Sequence, residues 1–117
     1  MGAAETLIQT ALVGEAVDDG PAIVLVLDED GRYLAVNAFA CHTLGYTREE
    51  LLRLRVADVA RGPETSRRFE EMRAQGALRG TALLTRKDTT TVEFDYRAAR
   101  TRVAGLDVFV AVGFVAG

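Results

Sequence analysis

The apolar positions that follow residue 20 open with two short runs, Ile23–Leu27 and Tyr33–Val36, separated by Asp28-Glu29-Asp30-Gly31. Both runs are rich in β-branched and aromatic residues, and the acidic turn can bond its own backbone while Gly31 takes a positive φ, so an antiparallel hairpin is predicted. Asn37 then stands where a helix N-cap belongs, and Gly45 where a left-handed C-cap ends that helix. Thr47 with Glu50 forms a capping box and Tyr46 with Leu51 a hydrophobic staple, which start a new helix over 48–54. These residues read as architecture and not as chemistry. Before the hairpin, Leu7, Ile8, Ala11, Leu12, Ala16 and Val17 fall at helical spacing, with Glu5, Gln9 and Glu15 left for solvent. An amphipathic helix over 3–17 is predicted, broken by Asp18-Asp19-Gly20-Pro21.

Beyond a short segment at 56–60, Gly62-Pro63 opens a helix that runs to residue 75 and stops at Gly76. On it Phe69 and Met72 point one way, and Glu64 and Arg68 are spaced for an ion pair. The pattern then changes to strands over 78–86, 90–102 and 106–115, and with no helix between them antiparallel pairing is the economical topology. The middle strand alternates Val92, Phe94, Tyr96 and Ala98 with Glu93, Asp95 and Arg97. The last does not alternate. Val108 to Val112 is apolar on both sides, so both faces of the sheet need cover along it, one from the central helices and the other from the N-terminal helix or a second subunit.

The acidic turn closed by Gly31, the strand ending on Asn37, and Gly45-Tyr46-Thr47-Arg48-Glu49-Glu50-Leu51 together resemble the N-terminal half of a PAS domain, whose members commonly carry G-Y-(S/T)-x-x-E-L at this place. The resemblance implies an α+β fold with a five-stranded antiparallel sheet in the order 2-1-5-4-3, helices on one face, and a division into an N-terminal helix with linker (1–20) and a core domain (21–117). It is strongest before Leu52. At Arg86-Lys87-Asp88-Thr89 the family often has an Asp-Gly turn, whereas Thr89 is ill suited to positive φ, so a wider turn is expected. The chain also ends without the Asp-Ile-Thr that commonly leads to an output helix, which leaves open whether it is a piece of a longer protein or has no covalent output.

Length and composition fit one domain with a self-sufficient core: 117 residues, 49% hydrophobic. The formal charge of −3 gives no footprint for nucleic acid or an anionic membrane. Of 14 basic residues only Lys87 is a lysine, and the arginines alternate with acids, as on a solvated surface. Cys41 is the only cysteine, so no intrachain disulfide can form. No basic leader precedes an apolar stretch and no apolar run is long enough for a span; a cytoplasmic location is expected.

The resemblance also says where chemistry would sit. Flavin photochemistry in the light-sensing branch needs a cysteine within an N-C-R-F-L-type motif, and residues 56–64 hold none; Cys41 reads as a small buried hydrophobe. Noncovalent flavin stays open. Haem-binding members place a histidine on the helix before the last three strands, and residues 63–75 have none. His42, the sole histidine, reads as a surface or packing residue. The acids fall in turns, caps and exposed helix faces, so no catalytic residue and no metal site is expected. What remains is the space between helices and sheet, where this family holds small ligands, with Phe39, Leu44, Leu54, Val59, Phe69, Met72, Phe94, Tyr96, Ala111 and Gly113 as candidate lining. A dry core built from the same residues is the alternative. The expectation is a non-catalytic sensory domain of a bacterial signalling protein with an output such as a histidine kinase or transcription regulator. It would bind a small molecule, homodimerise through the N-terminal helix and outer sheet face, or act as a ligand-free dimerisation module.

Overall fold

In the computed structural model, which describes residues 2–116, the chain runs α1 (Ala3–Asp18), β1 (Ile23–Leu27), β2 (Tyr33–Val36), α2 (Ala38–Leu44), α3 (Arg48–Leu51), α4 (Val56–Val59), α5 (Thr65–Gln75), β3 (Ala77–Thr85), β4 (Thr91–Val103) and β5 (Leu106–Val115). The strands form one antiparallel sheet in the order β2-β1-β5-β4-β3. Helices α2 to α5 cover its inner face. There Ile23, Leu25, Leu27, Phe94 and Phe109 meet Leu44, Leu51, Val59 and Met72 in a single core.

Local chemistry places these elements. In the β1–β2 turn the Asp28 carboxylate accepts from the amides of Asp30 (2.8 Å) and Arg32 (2.9 Å), and Gly31 takes φ 81°. Thr47 and Glu50 close their box in both directions, at 3.1 and 2.9 Å, and Gly45 and Gly76 end α2 and α5 in the left-handed region. Asn37 does more than cap. Its Oδ1 accepts from the amides of Ala40 (3.1 Å) and Val24 (3.0 Å), while its Nδ2 donates to the carbonyls of Val17 (2.7 Å) and Ala22 (2.8 Å).

Two expectations are corrected. The β3–β4 turn is tight, not wide: Thr89 itself adopts φ 73°. The surrounding bonds hold it there, since the Thr89 amide donates to the Arg86 carbonyl at 2.9 Å and the Asp88 carboxylate accepts from the Thr90 amide at 3.0 Å. The second concerns α1, which is present, yet its apolar side chains encircle it. At 100° per residue Val13 falls opposite Ala11 and Val17 opposite Ile8, and no α1 residue is buried. The helix therefore does not cover the outer sheet face, where Val112 and Phe114 stay exposed at 40% and 59%. Only its last turn is fixed, by the Val17 carbonyl on Asn37 and by Asp18, which accepts from the Ala38 amide and pairs with Arg48 at 2.9 Å. No helix among the described residues is long and apolar enough to cross a membrane.

Two substitutions check these points. Asn37→Asp keeps the shape but presents a carboxylate to two carbonyls, so it lowers unfolding free energy by roughly 2 to 4 kcal/mol at neutral pH, and by less in acid, where a proton restores one donor. Thr89→Gly relieves the left-handed β-branched residue and raises stability by about 1 kcal/mol. Urea denaturation reads both.

Candidate functional site

Strand register creates the site. One row across the inner face runs Val36, Leu25, Ala111, Ala98, Leu78. Large residues hold its ends and alanines its middle, so the sheet is thin-walled at its centre, and a cavity of about 80 Å³ lies between it and α5. Its floor adds Leu27 from β1, Ala82 and Leu84 from β3, and Phe94 and Tyr96 from β4; its roof comes from Val56 and Ala60 around α4 and from Phe69 and Met72 on α5. Phe69 meets Phe109 edge-on at 5.8 Å, and Phe94 stacks on Tyr96 at 5.4 Å. Further along β4, Arg100 lies 5.0 Å over the Phe109 ring and donates to the Arg73 carbonyl near the end of α5.

Of the residues singled out from sequence, Phe69, Met72, Phe94, Tyr96 and Ala111 line this cavity. The other five lie outside its lining. Leu44 and Val59 are fully buried in the core, and the Leu54 carbonyl accepts from the Tyr33 amide at 3.3 Å. Phe39 packs over the α1–β1 linker, where a Cβ on Gly20 would stand 2.7 Å from its ring; Gly113 is a spacer against β4, where a Cβ would run into the Asp95 carbonyl and stand 2.7 Å from the Tyr96 Cα. Sequence reasoning passed over Leu25, Leu27, Tyr33, Leu78, Ala82, Leu84 and Arg68. The period-two alternation of Leu78, Gly80, Ala82 and Leu84 was the available signal for the β3 wall.

The polar groups at the cavity are few. Tyr33 is 2% exposed, and its hydroxyl has no hydrogen-bond partner among the described residues. Burial, with smaller contributions from Asp58 and Tyr46, pushes its pKa well above the usual tyrosine value. Burial also raises that of half-buried Tyr96, and the neighbouring Arg68 guanidinium opposes the shift. The Thr65 hydroxyl is spent on the Ala60 carbonyl. Cys41 is buried on α2, where desolvation raises its thiol pKa and so disfavours the thiolate, and His42 beside it is exposed. Among the described residues no three His, Cys, Asp or Glu side chains converge as a metal site would require. A shallower depression at His42 to Gly45 and Arg86 to Asp88 is already bonded internally, Arg86 to the Thr43 carbonyl and Lys87 to Glu50.

The family description that matches the chain is PAS domain, over residues 21–115. The chain belongs to the PAS domain family. No curated protein matches it. Among solved structures it is similar to the PAS domain of an HTR-like protein from Haloarcula marismortui, with TM-score 0.79 and 21% identity over 97% of this chain and 96% of that one. A PAS domain from a two-component sensor histidine kinase superposes with TM-score 0.75 at 14% identity over 95% and 97%. A LOV protein from Rhodobacter sphaeroides does so with TM-score 0.72 at 15% identity, over 95% of this chain and 68% of that one. At these identities the likeness speaks for the PAS fold alone.

The unpaired Tyr33 hydroxyl makes a prediction of unusual sign. Tyr33→Phe removes a buried polar atom that finds no partner among the described residues, so it raises stability by about 1 kcal/mol where a bonded tyrosine would lose as much. The pH dependence follows from the raised pKa. Above pH 10.0 the unfolded tyrosine releases its proton and the folded one holds it, so the wild type loses stability as pH rises past that value. Tyr33→Phe flattens this alkaline limb in denaturation midpoints taken from pH 8 upward.

Proposed function

We propose that this PAS domain is a non-catalytic sensory module of a bacterial, cytoplasmic signal-transduction protein, in which a small molecule between α5 and the sheet biases contacts with an output module. The observation that carries the reading is the apolar cavity over the Ala98–Ala111 pair. A closed core has no need of alanine at the two central positions of its floor, and space left there costs packing energy. The candidate lining residues in this reading are Phe69, Met72, Phe94, Tyr96 and Ala111, joined by the β1, β2 and β3 positions. Xenon tests it, because the gas enters apolar cavities without needing polar partners. Under xenon pressure the methyl signals of Leu84, Ala98 and Ala111 shift, and Ala111→Val abolishes the shifts. Unshifted signals in the wild type would remove the basis for a sensor.

A second reading, a dimerisation module, is favoured by a separate observation. Leu7, Ile8, Leu12 and Val13 on α1 and Phe114 on β5 are all more than half exposed, a large apolar area for a lone domain. A partner chain would cover it, and the two readings are compatible. Light scattering on the intact chain is expected to give a dimer at micromolar concentration. Leu12→Glu, or deletion through Val13, is expected to give a monomer. A truncated chain that dimerises as tightly as the whole would show that α1 is not the interface.

A further inference from the structure

The cavity has one charged group at its lining, and the sheet is built to admit it. Gly80 of β3 lies opposite Tyr96 in the register, so its missing side chain would point to the inner face. The Arg68 guanidinium occupies that place: a Cβ on Gly80 would collide with Arg68 Nη1, and would stand 3.6 Å from the Tyr96 hydroxyl. The guanidinium and the phenol are thus side by side at the β3 end of a space whose other lining residues are apolar apart from Tyr33 and Thr65. The arginine is otherwise weakly engaged. Its ion pair with Glu64 spans 3.6 Å, the Glu64 side chain is 64% exposed, and the Arg68 side chain is itself one-third exposed. Surface pairs of this kind contribute little. Arg68 therefore has donors to spare for a planar anion.

We propose that the ligand is a short-chain monocarboxylate, its carboxylate held by Arg68 and the Tyr96 hydroxyl and its alkyl chain inserted over Ala98 and Ala111. The inference rests on the cavity reading above and adds the ligand's chemistry. Size and polarity narrow the class. A cavity of about 150 Å³ accepts benzene; at about 80 Å³ this one suits a chain of three or so carbons, with the charged end left at the partly exposed arginine. Di- and tricarboxylates are disfavoured, since a second charge would have to lie against Leu25, Leu84 and Phe94 with no cation to meet it.

Methyl-resolved NMR titration of the full chain separates the possibilities, with sodium butyrate, its neutral isostere butyramide, and xenon as probes. Butyrate is expected to shift the signals of Ala82, Leu84 and Met72, and to bind roughly tenfold more tightly than butyramide. Arg68→Gln brings butyrate down to the butyramide level. Gly80→Ala, which displaces the guanidinium without removing it, weakens butyrate likewise. Xenon should shift the same methyls in all three proteins and so report that each is folded with its cavity intact. Equal binding of butyrate and butyramide, butyrate binding unchanged in Arg68→Gln, or butyrate shifts confined to the protein surface would overturn the carboxylate assignment while leaving the cavity as a sensor site. Failure of xenon to reach the wild-type cavity would overturn both.

Discussion

One side-chain amide holds this domain in register. Asn37 is 6% exposed, and its two ends face opposite kinds of group: two amide donors, from Val24 and Ala40, meet the oxygen, and two carbonyls, of Val17 and Ala22, meet the nitrogen. The environment fixes which end is which, because reversing the amide would set donor against donor and acceptor against acceptor. The four bonds join the last turn of α1, the linker into β1, β1 itself and the start of α2. A buried amide with every valence met confines these four segments to one arrangement, since any partial loss strands polar groups away from water. The core then follows, for α2 carries Leu44 and Cys41 into it and β1 carries Ile23, Leu25 and Leu27.

From that corner the topology determines the cavity. β5 enters last and lies at the centre, between β1 and β4, so the residues that form the middle of the floor come from distant parts of the chain. Leu25, Ala111, Ala98 and Leu78 are neighbours only because the register makes them so. Opposite them, α5 is anchored at its C-terminal end by Gly76 and by Arg100, which donates to the Arg73 carbonyl and lies over Phe109.

This division between local and distant causes also explains what the sequence revealed. The Asp28–Gly31 turn, the Asn37, Thr47 and Glu50 caps and the Gly45 and Gly76 stops were all legible, because each is decided within a few residues. The strand order followed from resemblance joined to the absence of helices after residue 76. Thr89 misled because propensity argued for a wider turn, whereas Asp88, Arg86 and Thr90 supply enough hydrogen bonds to hold a disfavoured φ. The lining from β1 and β3 was missed because alternation tells which face a residue takes and not what stands across from it. Arg68 shows the limit best. Its spacing from Glu64 announced an ion pair, which exists, but the vacancy at Gly80 that draws the guanidinium inward is visible only when α5 lies across β3.

β5 joins the two proposed activities in a physical sense. Successive side chains of a strand point to opposite faces, so Ala111 faces the cavity while Val110 and Val112 on either side face outward, in line with Val26 and Val24 of β1. A molecule seated over Ala111 presses on a wall one strand thick, and the other side of that wall is the apolar surface that α1 leaves uncovered. Tight packing transmits such a displacement where a loose core would absorb it. On the proposed reading, then, ligand and partner would act on opposite faces of the same strand, through neighbouring residues, and no relay through the helices is required to couple them. The coupling would be reciprocal: a partner that fixed the outer face of β5 would also change the cavity's affinity for its ligand.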